Sequence, residues 1–197
     1  MDTENVYRFV GLFNFVVGVG ISIYYRSKAN RQGGRVSTSA ERKFVLYMRI
    51  VGGLFLWLSV LTYLINPGWL AWSSLGFPAW LRWTGAAVGF VSVGLIYWVF
   101  SSLGLNVTPT VVTRPDSQLV TRGPYRWVRH PLYTVGFLSF FGFFLLTGSW
   151  VILLGVLLTI PFLILRTPQE EEHLIQRFGN DYRTYMQRTG RFLPKLF

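Results

Sequence analysis

Two short stretches gather the residues of this chain whose types and spacing can do chemistry. Thr121–Gly136 reads TRGPYRWVRHPLYTVG and sets Arg122, Arg126, Arg129 and His130 at the approach to a long apolar run. Pro131 suits the first position of a helix, which makes His130 the N-cap. Free backbone N–H groups and the positive end of the helix dipole then lie beside Arg126, Arg129 and His130, an arrangement suited to a carboxylate, a phosphate or a nucleotide. The same residues also suit an interfacial anchor, with arginine meeting lipid phosphate and Tyr125, Trp127 and Tyr133 at headgroup depth. The second stretch, 166–178, reads RTPQEEEHLIQRF. Glu171 shares a helical face with Leu174, Ile175 and Phe178, where an unpaired carboxylate costs several kcal/mol. It needs a cationic partner: Arg166, a basic residue of the 122–130 loop, or a ligand. Glu172 and Gln176 look away from that face, and Tyr182 and Tyr185 read as packing residues.

Other chemistries are poorly served. The chain has no cysteine, so it has no thiolate metal site, disulfide or cysteine nucleophile. Two histidines, His130 and His173, are too few for a histidine-rich metal centre, and no metal is expected. A formal net charge of +11 raises the question of nucleic acid. The distribution argues against such a partner, because 26–43, 106–131 and 166–197 carry six, four and six of the nineteen Lys and Arg. Basic segments alternating with apolar runs follow the positive-inside pattern.

The elements that must position these residues are membrane helices. Of the 197 residues 51% are hydrophobic and 14% charged, against about 25% charged in soluble domains. Val6–Tyr25, Phe44–Ile65 and Trp83–Leu103 each predict a span, since roughly 20 apolar residues cross the hydrocarbon. Arg49 lies inside the second span near its end, where it can snorkel. The third contains Gly85 and Gly89 at the spacing that lets another helix approach closely. Leu132–Leu165 is too long for one span, and Thr147-Gly148-Ser149-Trp150 breaks it into a tight hairpin. Pro161 predicts a bend in its second limb. The N-terminus lacks the basic start and small-residue cleavage site of a signal peptide. Five spans with the N-terminus outside then put every basic segment and the C-terminus in the cytoplasm. In the tail, Thr167 as N-cap, Pro168 at N1 and Glu170 at N3 predict a new helix closed by a capping box. Gly179 ends it, and Asp181–Arg188 begins another. The expectation is an all-α integral membrane protein of five transmembrane helices, the last two a hairpin, with a C-terminal cytosolic helical segment.

These residues also resemble a known family, the isoprenylcysteine carboxyl methyltransferases, above all their bacterial and archaeal relatives, and more distantly the phospholipid N-methyltransferases. The resemblance rests on Leu119-Val120-x-x-Gly123-x-Tyr125, Arg129-His130-Pro131-x-Tyr133 and Arg166-x-x-x-Glu170-Glu171-x-x-Leu174. Leu103-Gly104-x-Asn106, Phe178-Gly179 with Tyr182, and Arg191 before Pro194 extend it, whereas 1–80 match only in being apolar. It implies one domain over 1–197, with two N-terminal spans in 1–80 and a catalytic core in 81–197. It further implies S-adenosylmethionine as cofactor, held on the cytosolic side without a Rossmann fold. Leu119, Val120, Gly123, Tyr125, Arg129, His130, Pro131, Tyr133 and Glu171 are the matching cofactor-binding positions. Arg166 and Glu170 match the catalytic ones, Arg166 orienting an anionic acceptor and either Glu170 or Glu171 meeting the cofactor's ammonium group. A groove between spans would admit a lipophilic or prenylated substrate from the bilayer, with membrane lipids as surroundings. One position departs: the prenylcysteine relatives carry His two residues before the Leu-Val pair, where this chain has Ser117. Methyl transfer to an ionised carboxylate needs alignment and exclusion of water more than a strong base. An amine acceptor would require a glutamate or tyrosine as base. Two other readings predict different ligands: a membrane sterol-type reductase using NADPH, and a non-enzymatic scaffold or transporter subunit whose basic loops meet anionic lipid.

Overall fold

Apolar runs punctuated by glycine and proline become six α-helices in the computed structural model, which describes residues 3–33, 43–104 and 118–195. Asn106 and Ser117 lie outside the described residues. The helices are α1 (Thr3–Gly33), α2 (Lys43–Ile65), α3 (Ala79–Leu103), α4 (Pro131–Thr147), α5 (Trp150–Phe178) and α6 (Asn180–Arg188), with 3-10 turns at Pro67–Ser73 and Gly123–Arg126. Among the described residues there is no strand, only isolated bridges. α1, α2, α3 and α5 are long and apolar enough to cross a membrane, whereas α4 is a shorter apolar helix of 17 residues. α1 extends well beyond the apolar run at 6–25 and carries Arg26 and Lys28 on its last turns.

Small residues decide how the helices pack. α3 lies on α4, where a Cβ added to Gly85 would stand 2.3 Å from Leu146 N and 2.6 Å from Gly142 O. No side chain fits there, and the glycine spacing read from sequence marks a real backbone-to-backbone approach. α2 and α5 close in the same way, with Gly155 facing the Leu56 backbone and Gly52 facing the Leu158 carbonyl. Between α2, α4 and α5 the core contains Leu56, Val60, Phe143, Phe144, Ile152 and Val156. Outward, Phe9, Phe13, Val16, Leu54, Leu58 and Val91 are exposed along the helices. So continuous an apolar exterior suits hydrocarbon rather than water. Trp69, Trp72, Trp80, Trp83 and Trp150 ring one end, and Tyr24, Tyr47, Tyr97, Trp98 and Trp127 the other. Two aromatic belts are what a bilayer selects at its interfaces.

The tight turn at 147–149 forms as expected: Gly148 adopts the left-handed conformation after α4, and its carbonyl accepts from Leu75 N at 2.8 Å. At this end Glu4 takes two hydrogen bonds from Arg82, at 2.7 and 2.8 Å, and a third from Tyr63 at 2.7 Å. Arg82 Nε also donates to the Leu146 carbonyl at 2.7 Å, so α1, α2, α3 and α4 are tied by one network.

One expectation is overturned. No helix starts at Thr167; α5 runs unbroken through Pro161 and Pro168 to Phe178. Thr167 therefore caps nothing, and Glu170 closes no capping box. Each proline removes one donor, while side chains add bonds to adjacent carbonyls of the same helix: Thr159 Oγ1 donates to Val156 O at 2.7 Å, Thr167 Oγ1 to Leu163 O at 2.6 Å and Gln169 Nε2 to Leu165 O at 3.2 Å. Burial of Arg166, Thr167 and Glu171 then holds the polar half of the helix in line with its apolar half. Local stop signals lose to packing, as membrane helices permit.

Candidate functional site

The site is assembled at the basic end of the bundle, where α3 and α5 finish and α4 begins. Gly123 starts the turn at φ 59°, and a Cβ there would stand 2.2 Å from Ser102 Oγ, so both conformation and space require glycine. Tyr125 follows, buried against Val99 and Val135 with Val120 packed on the same cluster; Leu119 is half-buried beside it. The chain then runs alongside the C-terminal segment. Gly190 N donates to Trp127 O at 3.1 Å, Arg129 N to Gly190 O at 2.9 Å and His130 N to Arg191 O at 3.0 Å. Thr134 Oγ1 adds a bond to Phe192 O at 2.6 Å. His130 is the residue before the helix and Pro131 its first position, as the sequence predicts.

Glu171 is the hub of this arrangement. Its side chain is 4% exposed, and Arg129 Nε donates to Oε1 at 2.8 Å while Arg191 Nη2 donates to Oε2 at 2.5 Å. Arg129 also donates through Nη1 to the carbonyls of Met186, at 3.1 Å, and Thr189, which end α6. The cationic partner demanded by a carboxylate on an apolar face thus comes from the 122–130 loop and from Arg191. Such a buried group is held by the whole set, because removing one partner strands the others' charge.

Glu170 has different neighbours. Tyr133 Oη donates to its Oε2 at 2.6 Å, and Arg166 Nε lies 3.8 Å from the same oxygen. Arg166 is buried, with its guanidinium 5.5 Å from the Phe162 ring and 6.0 Å from the Tyr133 ring. Arg26 on α1 is close enough for its charge to act on Arg166 and Tyr133. Tyr133 stacks on His130 with centroids 5.6 Å apart, and Phe192 tilts against the same imidazole at 6.0 Å. Glu172 is exposed and takes no part, while His173 meets only the Gln169 carbonyl one turn back.

Some buried polar atoms of this cluster complete no hydrogen bond among the described residues. His130 Nε2 stands 3.4 Å from Glu171 Oε1 without completing a bond, and Tyr182 Oη has no partner. Unfilled capacity of this kind calls for explanation, and a polar ligand is one. The tyrosines here stay protonated at neutral pH. Burial raises the phenols of Tyr125 and Tyr182, with the nearby carboxylates Glu170 and Glu171 respectively adding to it. Burial pushes Tyr185 up to about 12 against the pull of Arg129. Tyr185 Oη donates to the Tyr125 carbonyl at 2.6 Å, so it braces the turn.

An apolar groove adjoins this polar cluster. It is a partly open cleft of about 180 Å³ between α2, α4 and α5, and Tyr133 lines it together with Arg49, Gly53, Gly136, Phe140 and Leu163. Tyr133 therefore faces both the half-buried carboxylate of Glu170 and a greasy cleft.

Residues 80–181, from the start of α3 to the start of α6, match the family model described as phospholipid methyltransferase. The chain belongs to that family. Within it, the chain is 32% identical over 117 residues to a nickel-cobalt-cadmium resistance protein of Alcaligenes xylosoxydans xylosoxydans, covering 58% of this chain and 53% of the relative. It is 29% identical over 144 residues to protein-S-isoprenylcysteine O-methyltransferase of Dictyostelium discoideum, covering 64% of this chain and 55% of that one. Methanethiol S-methyltransferase 1 of Bradyrhizobium diazoefficiens is 31% identical over 122 residues, covering 55% of this chain and 42% of its own. The chain spans about half the length of the curated relatives it matches.

The phospholipid methyltransferase match stops before Arg191 and begins after α2. Sequence reasoning named Arg191 as an extension of the family resemblance but gave it no site role, because nothing local ties it to Glu171. Arg26 was hidden among the basic residues of 26–43. Arg49 read as a snorkelling cation, yet it lines the groove beside Tyr133.

Proposed function

We propose that the protein is an S-adenosylmethionine-dependent membrane methyltransferase that esterifies the carboxylate of a lipophilic, prenylcysteine-like acceptor. The observation that carries this reading is the position of Tyr133, shared between the Glu170–Arg166 pair and the apolar groove. A polar ligand on one side and a lipophilic one on the other would meet there. Membership of the phospholipid methyltransferase family and similarity to enzymes named for methyl transfer support it.

The residues present fit the cofactor. His130 Nε2 and Tyr182 Oη are buried with hydrogen-bonding capacity to spare, and His130, Tyr133 and Phe192 offer ring faces for a purine. Leu119, Val120, Gly123 and Tyr125 shape the turn that carries the wall formed by Arg129, His130, Pro131 and Tyr133. Glu171 serves that wall through Arg129 and Arg191, which leaves Glu170 as the carboxylate to meet the cofactor's ammonium group. Arg166 grips the acceptor carboxylate in a fixed plane, which suits a forked guanidinium. When bound, S-adenosylmethionine supplies an activated methyl on its sulfonium, displaced in line onto the acceptor oxygen. The protein's own work is orientation and exclusion of water, worth on the order of 7–11 kcal/mol in favourable cases. Protonated tyrosines here supply no base and Glu170 is engaged with the cofactor's ammonium group, which favours an already ionised acid over an amine as acceptor. The same reading puts the basic end, and the site with it, at the cytoplasmic face, with the N-terminus outside.

Isothermal calorimetry on the purified protein tests the cofactor assignment. S-adenosylhomocysteine should bind saturably with a stoichiometry of about one. Binding of NADPH in its place would support the sterol-reductase reading, and binding of neither would support a scaffold.

A further inference from the structure

The groove between α2, α4 and α5 is graded along its length. Among its described lining residues Arg49 is the one charged side chain; the others are apolar apart from Tyr133 and Thr159. Arg49 and Tyr133 lie toward the basic end of α2 and α4, whereas Gly53, Phe140 and Val156 lie deeper. One helical turn, about 6 Å, separates Arg49 from Gly53. The deeper part is open because two lining positions have no side chain: a Cβ at Gly53 or Gly136 would meet nothing within 4 Å. A polar mouth with one cation over an apolar floor is the shape of a site for an amphiphile.

We propose that Arg49 selects the acceptor, pairing with the anionic head of a single-chain lipophilic acid while the chain lies over Gly53 and Gly136. This rests on the reading of the groove as the acceptor site. α2 lies outside the matched family region, so the assignment comes from the groove itself. Pairing in a low-dielectric cleft is far stronger than in water, which gives Arg49 leverage over the charge of the head. Tyr133 beside it brings that head to the Arg166–Glu170 pair.

The test compares an N-acetylated S-prenylcysteine with its carboxyl methyl ester, which differ in one negative charge. Equilibrium binding to the purified full chain in neutral detergent is followed by tryptophan fluorescence. The acid should bind the unaltered protein about tenfold or more tighter than the ester. Arg49→Gln should cut that preference by about threefold or more, leaving what Arg166 supplies, with ester affinity within about twofold, and Arg49→Lys should keep more of it. Gly136→Leu, whose Cβ has clear space and whose side chain would occupy the cleft, should weaken acid and ester together. S-adenosylhomocysteine binding should be unchanged in all three variants, which also reports that they are folded. A full acid preference in Arg49→Gln would mean that Arg49 meets only bilayer phosphate, and would overturn the proposal. Unchanged binding of both probes in Gly136→Leu would overturn it as well. Failure of the methyltransferase reading is separately visible, as absence of S-adenosylhomocysteine binding in a protein that still prefers the acid.

Discussion

At the scale of single residues the adjacent carboxylates Glu170 and Glu171 have different work. Glu171 is almost fully buried and accepts from Arg129 and Arg191, whereas the Glu170 side chain is 25% exposed and accepts from Tyr133. Glu171→Gln strips the charge that two arginines converge on, and should cost about 3–5 kcal/mol. Thermal unfolding in detergent should show a clearly lowered midpoint. Glu170→Gln should leave that midpoint nearly in place, and lower methyl transfer by about tenfold or more by weakening a charge-assisted bond to Tyr133. Equal thermal losses in the two variants would contradict this division. From sequence, the apolar stripe correctly announced that Glu171 needs a cation. It did not say which, because Arg129 meets it only after the hairpin has crossed the bundle and returned, and Arg191 only after α6 has folded back.

At the scale of elements, the contact of α3 with α4 holds the start of α4 where the site needs it. Gly85 meets backbone atoms of α4, which cannot swing aside as a side chain can. Gly85→Ala should therefore destabilise the fold by about 1–3 kcal/mol, whereas Gly94→Ala on the same helix, with nothing within 4 Å, should be close to neutral. Thermal melts of the two variants decide; an unshifted midpoint for Gly85→Ala would refute the close approach. Much of this level was legible. The apolar runs marked α2 and α3, the glycine spacing marked their partner face, and Gly148 marked the hairpin. The break expected at Thr167 was not real, because capping signals are local and the burial of Arg166 and Glu171 is not. The Glu4–Arg82–Tyr63 network was equally invisible, since its members lie far apart in sequence and meet only when three helices pack.

At the scale of the molecule, a multi-pass bundle presents apolar side chains outward, aromatic belts at both ends and its candidate site at the basic end. Arg26, Arg122, Arg126, Arg129, Arg166 and Arg191 lie at this end, where their charge favours anionic ligands and lipid headgroups alike. A polar pocket and a lipid-facing groove share Tyr133, and that junction is the core of the functional account. It is tested most directly by incubating the purified protein with methyl-labelled S-adenosylmethionine and a lipophilic prenylcysteine acid, with matched thiol and amine acceptors alongside. The account predicts label recovered on the acid as an alkali-labile methyl ester, and loss of that transfer in Arg166→Gln. Label on the thiol or the amine instead, or on no acceptor, would contradict it.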